Sequence, residues 1–375
     1  MKLTTWNIEH LKKPLADLSL DTNRKRLLNI SKEIKQIDPD ILCIIEAPGD
    51  LLALRDWIAL PSADGGLDAA YQIATIKGTE QILSSNPSNV RDALSDLYAM
   101  EGSDRNGNQW IWFLVKNELF NNSAAHIQDP KVWRGMTGLK KWTVNYWGSY
   151  QSQKASHWRH PQTLILNIEG LIIEIIGVHL KSKINLKKAF DQNNQLTTEY
   201  VDEALRARVK LATEANDIRK YIEQRFQQES NPYIIVCGDF NDGPAKEFFE
   251  RQYLFFDLMS NIQGNIFFAD SFLNHALFDY RQDLRWSTKY NDKIERWARN
   301  EFGNYHNIAT AFDTTRKQLI DHILFTQAFV KSNSGPKILK HAGMVEHTIH
   351  EKVNANVRNS EKTSDHHPVS VEISF

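Results

Sequence analysis

At 375 residues and 43.3 kDa, the chain is long enough for one large domain or two ordinary ones. With 41% hydrophobic and 24% charged residues it is not a disordered chain. A net charge of −1 excludes a surface basic all over, though not a local basic groove.

The N-terminal MKLTTWNIEHL has no apolar core of signal-peptide length and reads as a strand. A helix is expected over about 23–36, where Leu27, Leu28, Ile30 and Ile34 recur at helical spacing. Apolar runs rich in β-branched residues predict central strands at 40–45, 110–115, 171–178 and 233–237. The most apolar run, 171–180, is interrupted by Glu174 and His179, so nothing approaches a membrane span. Cys43 and Cys237 both lie in apolar runs and read as buried thiols rather than a disulfide or a zinc set. A cytoplasmic protein without membrane insertion is the expectation.

A longer helix should span about 198–227. Val201, Leu205, Val209, Ala212, Ile218 and Ile222 form its buried stripe, and Arg206, Arg208, Lys210, Arg219 and Lys220 its solvated face. Strands alternating with helices, and strands joined by turns such as Asn106-Gly107, suggest a mixed sheet architecture. No repeat and no Pro/Gly/Ser linker divides the chain. One domain is therefore expected over 1–375, with elaborated loops near 50–108, 130–160 and 245–312.

Polar residues recur where the apolar runs end. Asn7 ends the first (TTWNIEH), Glu46 the second (ILCIIEA) and His179 a third (IIGVHLKSK). Asp239 and Asn241 end a fourth (IIVCGDFND), Asp321 and His322 enter a strand (LIDHILF), and Asp365 and His366 precede the last (TSDHHPVSVEI). Strand tips on a rigid scaffold are where sheet proteins collect reactive groups. Any one of these could be a turn former or a cap; six together ask for chemistry. Carboxylates, an Asn carbonyl and water are the hard oxygen ligands that Mg²⁺ or Mn²⁺ prefers. Such a cation neutralises a phosphodiester, while a base or second metal deprotonates the attacking water. An Asp–His pair supplies an imidazole of tuned protonation. No phosphate-binding glycine motif supports nucleotide-driven transfer.

In the order WN, E, HL, GDFN, DH and SDHHP, these motifs resemble the endonuclease/exonuclease/phosphatase superfamily, a resemblance spanning residues 6 to 368. It implies a four-layer α/β sandwich, two packed mixed β-sheets flanked by helices. It also implies Glu46 as principal metal ligand with Asn7 beside it, and Asp365 ligating metal or supporting the site. Asp239 and Asn241 would orient the water and the phosphate. His366 would be the catalytic histidine, oriented by Asp321, with Asp239 and His366 rival candidates for the base. His179 would contact phosphate oxygens or assist the leaving group. His322 and His367 are not assigned catalytic roles.

His179 stands where the apurinic-site endonuclease branch typically has tyrosine, which resembles deoxyribonuclease I, phosphatases and sphingomyelinases instead. Where deoxyribonuclease I pairs this histidine with a glutamate, a rough alignment gives Gln109. Arg159, in WRHP, resembles an R-x-P arginine that reaches substrate phosphates. HLKSK, the long helix and the later WSTKY resemble bacterial nuclease-like members, and Lys181 and Lys183 would then assist phosphate binding.

Residues 130–168 hold no Asp or Glu, but carry Lys131, Arg134, Lys140, Lys141, Lys154 and Arg159 among Trp133, Trp142, Tyr146, Trp147, Tyr150 and Trp158. Basic groups track a phosphate backbone and aromatic faces stack on bases. A lipid headgroup could use the same set, and a flap packed on the sandwich is the third possibility. The expectation is a Mg²⁺- or Mn²⁺-dependent nuclease acting on DNA. The alternative is a phosphomonoesterase or phospholipase C-like enzyme acting on inositol phosphates or sphingomyelin. No protein partner is inferable.

Overall fold

The computed structural model describes the chain apart from residues 86–96, 99–108, 138–140, 147–148, 155–158, 194, 245–247, 251–253, 255–256, 291–296, 300–304, 308–315 and 332–334. Side chains at 85, 137, 141–146, 149–154, 258, 290, 297–299, 305–307 and 316 are also outside the description.

Two six-stranded sheets form the centre. The first has the order β17-β18-β1-β2-β4-β3. Its strands are β1 (Lys2–Asn7), β2 (Ile41–Ala47), β3 (Tyr71–Ile73), β4 (Trp110–Lys116), β17 (Gly343–Val345) and β18 (Val369–Glu372). The second has the order β11-β16-β10-β9-β8-β5. Its strands are β5 (His126–Ile127), β8 (Gln162–Ile168), β9 (Leu171–His179), β10 (Tyr233–Asp239), β11 (Asn274–His275) and β16 (Asp321–Phe325). Three two-stranded ribbons accompany them: β6 (Lys141–Tyr146) with β7 (Ser149–Lys154), β12 (Thr288–Tyr290) with β15 (Arg316–Gln318), and β13 (Trp297–Arg299) with β14 (Tyr305–Asn307). Both large sheets are mixed, since β1 runs parallel to β2 but antiparallel to β18, and β10 parallel to β9 but antiparallel to β16.

The central strands are apolar on both faces because both are covered. The main core packs Ile44 and Phe113 of the first sheet with Ile175 and Ile235 of the second, and takes Leu27, Ile30 and Ile34 from helix Asp21–Ile37. The outer face of the second sheet packs Ile176, Val178 and Val236 against Leu211, Ile218 and Ile222 of helix Thr198–Gln228. Helix, sheet, sheet and helix make the expected layered sandwich. At Gly177 the sheets approach closely: a Cβ there would lie 2.9 Å from Ile111 Cγ2 and 3.0 Å from Cys43 Sγ. Cys43 and Cys237 are buried and free, as expected.

The predicted strands and both predicted helices form within a few residues of the expected bounds. Thr197 caps the long helix by accepting from the Tyr200 N–H. Its charged face departs from expectation, because Arg208 and Arg219 are buried at 6% and 8% exposure. Arg219 is drawn inward by the carbonyls of Gln263 and Ser271, to which it donates at 3.2 and 2.8 Å. Arg208 lies over the Phe249 ring, 4.6 Å from its centroid. The Asn106-Gly107 turn falls outside the described residues. Among the described residues no helix is long and apolar enough to cross a membrane.

Candidate metal and phosphate site

Strand pairing within each sheet, and the packing of one sheet on the other, bring the strand-end residues together. β1 and β2 are parallel, so Asn7 and Glu46 finish at the same edge. β9 and β10 are parallel with His179 opposite Asp239, and antiparallel β16 sets its first residue, Asp321, against Asp239 from the other side. Antiparallel β18 begins opposite Thr5, which carries Asp365 and His366 to that edge too.

Local backbone tunes each group. Glu46 has φ +61° and sits where the β2–β4 register shifts, a bulge that re-aims its carboxylate. Gly238 precedes Asp239 with φ +139°, and a Cβ there would lie 2.0 Å from the Val178 carbonyl oxygen. Only glycine fits. Asn241 also takes a positive φ, +52°, and its side chain donates to the Leu180 carbonyl at 3.0 Å.

Asp239 is 2% exposed. Its Oδ2 accepts from Asn7 Nδ2 at 3.0 Å, and its Oδ1 from the Asn241 N–H at 2.8 Å. Burial and the neighbouring Asp321 carboxylate push its pKa up to about 7, against the pull of His366 and those hydrogen bonds. Asp321 Oδ2 accepts from His366 Nδ1 at 2.7 Å, while its buried Oδ1 has no hydrogen-bond partner among the described residues. Burial works against charge on His366, but Asp321, Asp239 and Asp365 outweigh it and raise its pKa to about 10. At neutral pH this imidazole carries both protons and can donate from Nε2.

His179 Nε2 lies 3.6 Å from Asp239 Oδ2 and 4.0 Å from Glu46 Oε1. Burial, then the charges of Arg159 and His366, hold its pKa well below the usual range, so the ring is neutral. Its Nδ1 is buried without a described partner. Gln109, at the position expected to face it, instead accepts from Arg159 Nη1, so among the described residues no carboxylate bonds that Nδ1. Arg159 also donates to the carbonyls of His179, at 3.1 Å, and Leu180, at 2.9 Å, and so pins the end of β9.

Lys181 stands two residues beyond His179, with its Nζ on the Ser182 carbonyl at 2.7 Å and its backbone N–H on Glu214. Asp365 is adjacent to His366, with Oδ1 3.8 Å from its Nε2, and has a 65% exposed side chain. The structure thus gathers Asn7, Glu46, His179, Asp239, Asn241, Asp321 and His366 around one point. Asp365 stands at the rim, and Arg159 and Lys181 stand behind the β9 end.

One ligand atom each from Asp239, Asp321 and His366 lies within 4.8 Å of the others, a group able to hold a divalent cation; with His366 protonated at both nitrogens, the carboxylates are the ligands and the imidazole a hydrogen-bond donor. The donor set suits a hard cation: two buried carboxylates, one oxygen without a hydrogen bond, and a carboxyl pKa raised by burial and then by the neighbouring Asp321 charge, both of which a cation would relieve.

Several contributors lacked a sequence signal. His10 donates its backbone N–H to Glu46 Oε2 at 3.0 Å, and its Nδ1 lies 3.2 Å from the same oxygen. Ser364 donates to the Asn7 carbonyl at 2.6 Å and accepts from the His366 N–H at 3.0 Å. Arg26 ties the end of β1 to the Asp365 loop, donating to the carbonyls of Ile8, Lys362 and Thr363. Charge among helix residues 21–37 gave no hint of that, whereas the serine of SDHHP was in plain view.

In the acid-free segment, Trp133 is buried, stacks on Tyr221 at 4.7 Å and donates to Thr163 Oγ1, so it packs rather than binds. Lys131 and Arg134 are exposed. The side chains of Lys140, Lys141, Trp142, Tyr146, Trp147, Tyr150, Lys154 and Trp158 lie outside the described residues.

Residues 4–366 match the model of the endonuclease/exonuclease/phosphatase family. No curated protein sequence matches the chain. Among solved structures it is similar to TDP2 of D. rerio complexed with a single-strand DNA product, at 10% identity and TM-score 0.48, covering 100% of this chain and 99% of that one. It is also similar to a mannosyl-6-phosphatase of Bacteroides thetaiotaomicron, at 13% identity and TM-score 0.46, covering 100% of both chains. The human Nocturnin catalytic domain with bound sulfate is similar at 14% identity and TM-score 0.44, covering 100% of this chain and 94% of that one.

Proposed function

The chain belongs to the endonuclease/exonuclease/phosphatase family, and from that premise we propose that it is a Mg²⁺- or Mn²⁺-dependent phosphodiesterase whose substrate is DNA. The observation that carries the reading is the Asp321–His366 pair facing Asp239, three buried side chains brought together from strand ends of both sheets. Glu46, Asn7 and Asp365 would hold the cation together with the carboxylate side of the Asp239–Asp321 group. When bound, such a cation neutralises phosphate charge and lowers the pKa of water.

The chain's own residues divide the remaining work. Asp239, with both oxygens oriented by Asn7 and Asn241, is placed to take a proton from water. His366, fixed at Nδ1 by Asp321, offers its Nε2 proton to a phosphoryl oxygen or leaving group. Neutral His179 donates or accepts at Nε2 between Glu46 and Asp239. Asn241 orients the phosphate. Arg159 and Lys181 contribute positive charge behind it.

DNA is favoured by the acid-free run of basic and aromatic residues before Arg159. The test is digestion of plasmid and oligonucleotide with Mg²⁺ or Mn²⁺, with Glu46→Ala as control. Metal-dependent cutting by wild type and none by the variant is expected. No cutting with either metal sinks the reading, and phosphate release from inositol phosphates or sphingomyelin would put the alternative in its place.

A further inference from the structure

Beside His366 the surface opens into a cavity of about 190 Å³. Its lining includes Asn241, Asp365 and His366, so a group seated in it is one carried by the phosphate at the site. Drug-sized ligands occupy roughly 300–1,000 Å³; this space takes a single ring system rather than a length of polymer.

The walls say what kind of ring. Half-buried Tyr200 presents aromatic surface, with the buried Phe249 ring 6.0 Å from its own, and the Arg208 guanidinium lies 4.6 Å from the Phe249 centroid. Flat aromatic and guanidinium surfaces favour a planar partner. Gln318 also lines the cavity, half-buried, and its side-chain amide has no hydrogen bond among the described residues. An amide offers a donor and an acceptor side by side, which matches the edge of a heterocycle. Ser182, Asn185 and Thr288 also line the cavity and offer polar groups to the sugar that carries the ring. An acyl chain would leave the amide unpaired. Lys289, exposed at the mouth and shared with the groove on the far side of Asp365, suits the next phosphate along a strand.

We propose that this cavity is a nucleobase subsite, in which Gln318 reads the base edge of the nucleotide whose phosphate is attacked. The inference rests on the phosphodiesterase reading above and names the substrate class of that site.

The test uses the full chain with Mn²⁺ and three substrates: a thymidine dinucleotide and its two analogues that each lack one base. Removing the base that enters the cavity lowers kcat/KM at least tenfold, mainly through KM, while removing the other base has a smaller effect. Gln318→Ala erases most of that difference. Indifference to both bases, or a Gln318→Ala loss equal on all three substrates, overturns the subsite. If no substrate is cleaved, the phosphodiesterase reading has failed, and the subsite is judged by binding. Saturation-transfer NMR with thymidine 5′-monophosphate should then mark the base protons in wild type and mark them less in Gln318→Ala. Transfer confined to the sugar, or unchanged by the variant, overturns it.

Discussion

His366 and His367 are consecutive, about equally buried at 9% and 7% exposure, and chemically opposite. His366 turns to carboxylates, and its pKa rises to about 10. His367 turns to the other side of the chain, where His347 Nδ1 lies 2.9 Å from its Nδ1 and the rings of His350 and Trp286 lie 4.0 and 4.5 Å away. Burial, then His350, His347 and Lys289, push its pKa down to about 2. Burial alone would depress both rings. The partner decides whether a buried histidine is a proton donor or a packing element.

The largest expected effect breaks the first half of that contrast. Asp321→Asn keeps the shape and removes the charge that holds a second proton on His366. Hydrolysis should fall by about 10²–10⁴-fold, the range of a lost general acid or base, and an NMR titration should show the His366 pKa moving down. A loss below tenfold with the titration unmoved would mean that Asp321 does not set the state of His366.

The next effect belongs to the second half. His350 Nδ1 bonds Glu33 Oε1 at 2.7 Å, and Glu33 is 0% exposed. His350→Ala leaves a buried carboxylate short of its partner, at a cost of about 3–5 kcal/mol measurable by urea unfolding. Activity per folded molecule should stay near wild type, the reverse of Asp321→Asn. A stable but inactive His350→Ala would merge the two regions into one.

Sequence made one side of this contrast legible and hid the other. The strand-end residues could be found because each interrupts an apolar, β-branched run, and parallel and antiparallel pairing then delivers them to one edge. Helix Thr198–Gln228 was readable from its apolar period. Its charges misled, because period counts faces and not partners: carbonyls of Gln263 and Ser271, some 50 residues away, draw Arg219 inward. Nothing local distinguishes His366 from His367 in SDHHP, since the carboxylates facing one and the histidines facing the other come from distant segments. Arg159 reads as a phosphate ligand in sequence, yet in the fold its NH groups meet the His179 and Leu180 carbonyls.

A smaller effect uses pH to separate the neighbours. An unfolded histidine titrates near 6.5, whereas folded His367 stays neutral down to about 2. Between those values the unfolded chain binds a proton that the folded chain does not, so stability falls as pH drops below about 6.5. This single group contributes a slope of at most about 1.4 kcal/mol per pH unit. His366 has the opposite sign: its contribution is complete below 6.5 and is lost as pH rises toward 10. Urea midpoints for wild type and His367→Asn between pH 4.5 and 6.5 should converge toward the acid end. Parallel curves would show that His367 is not the group held neutral.

The smallest effect concerns the residue that holds the turn carrying His366. Ser364 donates to the Asn7 carbonyl and accepts from the His366 N–H, so one hydroxyl fixes the SDHHP turn to the end of β1. Ser364→Ala leaves two buried backbone groups without that partner, yet adds no charge and little empty space. A cost of about 1–2 kcal/mol follows from two neutral hydrogen bonds. If the turn serves mainly to present His366, hydrolysis should fall by about tenfold or more, because small misplacement of a reacting group is costly. The His367 acid slope should be unchanged, since its partners His347 and His350 come from helix His347–Asn354 and not from Ser364. A variant that loses the acid slope and keeps its activity would show that Ser364 positions the packing histidine instead.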